Sequence, residues 1–224
     1  MTRTSPHSAD VITNMRFVYK SIRFAIYTVF FTAGILSLPI LAERKGGATF
    51  KEGGPVEWAQ LVLLIFSAGL FGIGAWRAPA WRGLLCLFVF LVSLVVAREL
   101  DSVLDRCIPV FGWKVPAGVL ILSAALCVWR YRKTLPCQVH GFIEGYPFPI
   151  LWFGLLTVIV CAQSVGHGRL LDALMLSDYV RNYKRMVEEL IELCGYFFIW
   201  VGSMEMVIYA LTGLPPFKKI QREI

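Results

Sequence analysis

Five charged residues fall within nine positions of this chain: Arg98, Glu99, Asp101, Asp105 and Arg106, in the stretch RELDSVLDR that follows an apolar run. Asp101 and Asp105 are spaced i,i+4, which on a helix sets both carboxylates on one face. If the stretch is the C-terminal end of a helix, the macrodipole disfavours those acids and their mutual repulsion adds to the cost. A positive group must then offset them. Arg98, at i,i+3 to Asp101, and Arg106 can do so in a salt-bridged interfacial cluster, and a bound cation is the alternative. Carboxylates without histidine suit hard cations such as Ca²⁺ or Mg²⁺. Glu57, Asp101, Asp105 and Glu192 are the candidate ligands, so a divalent cation is the one cofactor the residues suggest.

Two further segments carry related side chains. In KEGGPVEWAQ, Pro55 suits the first position of a helix and makes Glu57 a first-turn acid. The macrodipole stabilises such an acid by about 0.3–1 kcal/mol. Gln60 lies one turn deeper on the same face. In KRMVEELIELCGY, the i,i+4 pairs Lys184–Glu188 and Arg185–Glu189 account for two acids as a solvated face. They do not account for Glu192, which begins an apolar run. Glu188, Glu192, Gly195 and Gly202 form one stripe, and small residues let membrane helices approach closely. Glu205 lies 13 residues beyond Glu192, roughly 20 Å deeper along a helix. An acid within a membrane is a functional candidate, and its plain alternative is a neutral, hydrogen-bonded group. The candidate polar site is therefore Glu57, Gln60, Arg98, Glu99, Asp101, Asp105, Arg106, Glu188, Glu192 and Glu205.

Several chemistries lack their residues. The three histidines are His7, His140 and His167, and none is central in an apolar run, which argues against haem b, zinc and carboxylate–histidine di-iron sites. VEELIEL fails the EExxxR pattern of CAAX-type membrane proteases, because Leu193 stands where the arginine should be. VGSMEM lacks the last glycine of a GxSG serine site. A non-catalytic site for a cation, protons or a basic partner is the leading expectation. An enzyme using paired acids on lipid headgroups and an accessory subunit of a membrane complex are the alternatives. The six cysteines include no CxxC pair and read as small apolar residues.

The elements that must position these residues are membrane helices. Of 224 residues, 57% are hydrophobic and 17% charged, with a mean hydropathy of +0.65, against about 25% charged in a soluble domain. The apolar residues come in runs near 22–41, 56–76, 81–100, 111–129, 149–165 and 187–211, each suited to a hydrocarbon core about 30 Å thick. Trp58, Trp76, Trp81, Trp113, Trp129 and Trp152 fall at run ends as an aromatic belt, while Trp200 does not. The first run is longer than a signal-peptide core and is preceded by over twenty residues.

The expected fold is all-α: a six-span inner-membrane protein with both termini cytoplasmic, the runner-up having four or five spans with re-entrant or interfacial helices. Residues 1–21 form a polar tail, 22–211 one bundle and 212–224 a basic tail. Orientation rests on the short basic loops WRAPAWRG and WRYRK. It assigns eleven acids to the outer side and three to the inner, with Glu205 between. The net charge of +7 is membrane-flanking rather than a nucleic-acid signal. The partners are the lipid bilayer and a membrane protein or second copy. TLPCQVHGFIEGYPFP reads as an irregular inner connector.

Overall fold

A computed structural model describes residues 6–50, 53–107, 111–166 and 181–212. Those residues are helical almost throughout, with no strand among them. Met1–Gly46 and Gly47–Ile224 form two compact units. The first is helix α1, Pro6–Lys45, whose apolar stretch turns Ile26, Val29, Leu36 and Ile40 outward. No glycine occurs between Pro6 and Phe31, and the segment's one proline stands at the first position of the helix, where it is tolerated. The helix therefore extends through positions expected to be a loose tail.

In the second unit, α2 spans Pro55–Arg77. Its first bond runs from the Trp58 amide to the Gly54 carbonyl at 3.1 Å. It ends where the Ala78 amide bonds Gly74 O at 2.8 Å and Arg82 Nε donates to Ala75 O at 3.0 Å, satisfying acceptors of the last turn. A single 3₁₀ turn, Pro79–Trp81, then reverses the chain into α3, Arg82–Glu99. The α2–α3 hairpin is the centre of the unit. α5, Lys114–Tyr131, packs along α3, and the long C-terminal helix α9, Arg181–Thr212, packs along α2.

Between them lie α4, Asp101–Cys107, α6, Leu135–Ile143, and α7, Pro147–Leu156. α7 continues through a π-helical stretch, Thr157–Ala162, into the short α8, Gln163–Gly166, and packs on α9. There the backbones approach closely. A Cβ on Gly154 would lie 3.0 Å from Gly195 O, and one on Gly202 would meet Leu151, so the two glycines of the expected stripe pack on α7, while Glu192 of the same stripe turns to Arg98 on α3. Leu64, Phe71, Leu85, Tyr196 and Met206 form the core, extended by ring contacts Phe71–Phe88, Phe88–Phe142 and Phe142–Phe148 at 5.1, 5.3 and 5.4 Å.

Among the described residues, five helical stretches are long and apolar enough to cross a membrane: Phe17–Arg44, Ala48–Arg77, Pro79–Glu99, Lys114–Tyr131 and Lys184–Thr212. The run expected at 149–165 differs. Leu135–Ile143 and Pro147–Ala162 make a sixth only if counted together across an 89° bend. The expected irregular connector is instead the helix α6, with Pro136 accommodated in its first turn. α6 carries a buried amide into the hairpin turn: Gln138 Nε2 donates to Ala80 O at 2.9 Å, and Gln138 Oε1 accepts the Leu84 amide at 2.8 Å. Leu84 is the third residue of α3, so Gln138 caps that helix from a distance. Trp81 is not part of an exposed belt. The 3₁₀ turn points it inward, 1% exposed, against Tyr209 at 5.5 Å. Trp58, Trp76, Trp129 and Trp152 do face outward.

Candidate functional site

At the other end of the hairpin, the start of α2, the end of α3 and the first turns of α9 meet. The side chains between them are polar. Gln60, fully buried, donates from Nε2 to both the backbone oxygen and Oε2 of Glu189, each at 3.0 Å. Tyr196, also fully buried, donates its hydroxyl to Glu99 Oε1 at 2.7 Å. Arg98 Nη2 lies 3.9 Å from Glu192 Oε1, with Glu192 buried and Arg98 half exposed. Glu57 Oε2 accepts the Gly53 amide at 2.7 Å, so Glu57 also secures the turn that opens its helix.

α9 supplies its share through spacing. Glu189, Glu192 and Tyr196 follow at i, i+3 and i+7, which confines them to a stripe about 60° wide at 100° per residue. This stripe faces α2 and α3, while Gly195 and Gly202 face α7. The carboxylates are near enough to act on one another: Glu57, Glu99 and Glu188 on Glu189, and Glu99, Glu189 and Glu188 on Glu192, opposed by Arg98. The Gln60 side-chain oxygen is buried and accepts no hydrogen bond. The interior of the site is thus rich in acceptors, with the donors Gln60 Nε2 and Tyr196 OH already engaged. Acceptors in such excess call for something electron-poor: a proton, a cation or an N–H group.

The structure redistributes the residues expected from sequence. Glu57, Gln60, Arg98, Glu99 and Glu192 lie at this end of the hairpin, and Glu188 is half-buried at the margin. Asp101 and Asp105 do not oppose the dipole of α3. That helix stops at Glu99, Leu100 takes φ −92°, ψ 15°, and Asp101 opens α4, where the dipole favours an acid. Both aspartates are exposed. Asp105 Oδ1 accepts the Trp113 amide at 3.2 Å beside Gly112, which takes φ +52° and where a Cβ would collide with the Asp105 carboxylate. Arg106 is exposed and donates from Nε to Ser102 O at 2.9 Å. Arg98 turns to Glu192 rather than to the aspartates. Glu205 is fully buried, but on a face of α9 about 140° round from Glu192.

Among the described residues, no group of three or more Asp, Glu, His or Cys side chains is disposed to hold a metal ion. The proposed ligand set of Glu57, Asp101, Asp105 and Glu192 is therefore not assembled, because α4 carries Asp101 and Asp105 outward. His167 lies outside the described residues. Glu189 and Tyr196 were missed by sequence reasoning. Arg185, one turn back, accounts for Glu189 as an i,i+4 pair, and Tyr196 falls within an apolar run. The i, i+3, i+7 relation of Glu189, Glu192 and Tyr196 was the available signal. Compared with protein-family models, with curated proteins and with solved structures, the chain matches none.

Proposed function

We propose that this protein is a six-span inner-membrane protein, both termini cytoplasmic, whose outer end holds a cation-accepting site built from Glu99, Glu189, Glu192 and Gln60. Protons compete with the cation for the same oxygens. The observation that carries the proposal is the Gln60 side-chain oxygen, fully buried and without a donor, on an amide bonded to Glu189, with Glu99 near enough to act on both Glu189 and Glu192. An unmade bond at a buried acceptor costs about 1–3 kcal/mol, and a bound cationic or N–H-bearing group removes that cost. The pairwise placement of the carboxylates favours a monovalent cation or an amine over a metal that needs many convergent oxygens.

The site is tested by titrating detergent-purified protein with Na⁺, Ca²⁺, Mg²⁺ and a primary amine, following the heat of binding by isothermal titration calorimetry. A saturable change with at least one ion, lost in Glu192→Gln, is expected. No change with any of them contradicts the proposal. Orientation has its own test. Cys107 is exposed and should react with a membrane-impermeant thiol reagent outside intact cells, whereas Cys137, at the opposite end, should react only after permeabilisation. The reverse pattern would put the site on the inner face.

A further inference from the structure

A cavity of about 600 Å³ opens at the opposite end of the bundle from that site, where α5 ends, α6 begins and α2 turns into α3. Pro79, Arg130, Arg132, Lys133, Thr134 and Gln138 line it, and no acid is among its lining residues. Gln138 spends its amide on Ala80 and Leu84 and serves as wall. The polar groups left to a ligand are basic. Arg130 lies over the Tyr131 ring at 5.6 Å and Arg132 over Trp129 at 5.4 Å. Such stacking restricts each guanidinium while leaving its in-plane N–H groups available.

An ordinary explanation for basic residues here is the negative end of α5. That end is worth about half an elementary charge, whereas Arg130, Arg132 and Lys133 bring three positive ones. The N-terminal end of α6, nine residues long, meets the same cavity at Thr134 and has no side-chain cap, so its dipole adds positive potential. The exposed Trp76 and Trp129 rings mark this level as the edge of the apolar zone. The volume falls within the range of small-molecule sites, about 300–1,000 Å³.

We propose that this cavity binds a phosphate-bearing group, with the Arg130 and Arg132 guanidiniums and the Lys133 ammonium on the phosphate oxygens. The group comes either from the headgroup of an anionic membrane lipid or from a free phosphate compound, and the two sources separate experimentally. The purified full chain is melted in detergent micelles containing phosphatidylglycerol, in micelles containing phosphatidylcholine, and in the latter with inorganic pyrophosphate. Stabilisation by phosphatidylglycerol beyond phosphatidylcholine identifies a lipid source. A saturable shift with pyrophosphate alone identifies a free one.

In either case the Arg130→Gln, Arg132→Gln, Lys133→Gln triple variant should lose roughly an order of magnitude or more in affinity. Each single exchange should lose part of that. All three side chains are exposed, so melting in phosphatidylcholine should be unchanged. Arg77→Gln, at the same level but outside the cavity, should keep the full effect. The proposal is overturned if neither phosphatidylglycerol nor pyrophosphate stabilises the protein. It is equally overturned if the triple variant retains the shift, or if Arg77→Gln loses as much.

Discussion

Two glutamines sit buried at opposite ends of the α2–α3 hairpin, Gln60 and Gln138, and they are used in opposite ways. Gln138 accepts with its oxygen and donates with its nitrogen, in both cases to backbone of the hairpin turn. It replaces a cap that α3 lacks, and each of its two polar atoms is bonded. Gln60 gives its nitrogen to Glu189 and leaves its oxygen unmade. Natural interiors leave few such groups, and each one calls for an explanation. The contrast separates a polar group whose two atoms both bond the fold from one that keeps an open acceptor.

That contrast orders what substitutions should do to unfolding in detergent. Gln138→Leu should be the most damaging, because it orphans the Leu84 amide and the Ala80 carbonyl together, at about 1–3 kcal/mol each. A loss below about 1 kcal/mol would mean that water replaces the amide and that Gln138 is not a cap. Tyr196→Phe should cost about 1–3 kcal/mol by stripping the donor from Glu99. Removing Glu99 as well, in Tyr196→Phe with Glu99→Leu, should recover part of that loss. If it recovers none, the hydroxyl is not acting through Glu99.

Gln60→Leu should cost within about 1 kcal/mol, since the lost donation to Glu189 is offset by removal of the orphan oxygen. It should nevertheless weaken cation binding. A destabilisation as large as that of Gln138→Leu would erase the distinction between the two ends. Asp101→Asn, on an exposed side chain outside the site, should change stability by no more than about 0.5 kcal/mol and leave cation binding intact.

The helices were legible in the sequence because their apolar runs are long and punctuated by proline and tryptophan. α2 matches the run at 56–76 almost residue for residue, and Pro55 marks its start. The site was half legible. Glu57, Gln60, Glu99 and Glu192 could be grouped because their helix ends share one level. Which helices touch was not readable, and α2 between α3 and α9 is what makes Gln60 and Glu189 partners. The charged stretch RELDSVLDR divides at Leu100, and a one-residue break in an otherwise helical pattern carries no sequence mark when leucine occupies it. Arg98 and Glu99 therefore stay with the site, while Asp101 and Asp105 leave with α4. Gln138 lay in a segment rich in proline and glycine, where composition suggests a loop, and its tie to residues 54 and 58 positions earlier is tertiary.

The most direct test compares melting temperatures of the wild type and a Glu189→Gln, Glu192→Gln double variant across cations at constant ionic strength, with choline chloride as the reference salt. A ligand of the native state raises its melting temperature by an amount that grows with the logarithm of its concentration above Kd. At least one of Na⁺, Ca²⁺, Mg²⁺ or a primary amine should raise that of the wild type. The increment should shrink as pH falls and protons take the carboxylates, and it should be absent in the double variant. A wild type that melts identically in every salt, or a double variant that keeps the full increment, would contradict a cation-accepting site between α2, α3 and α9.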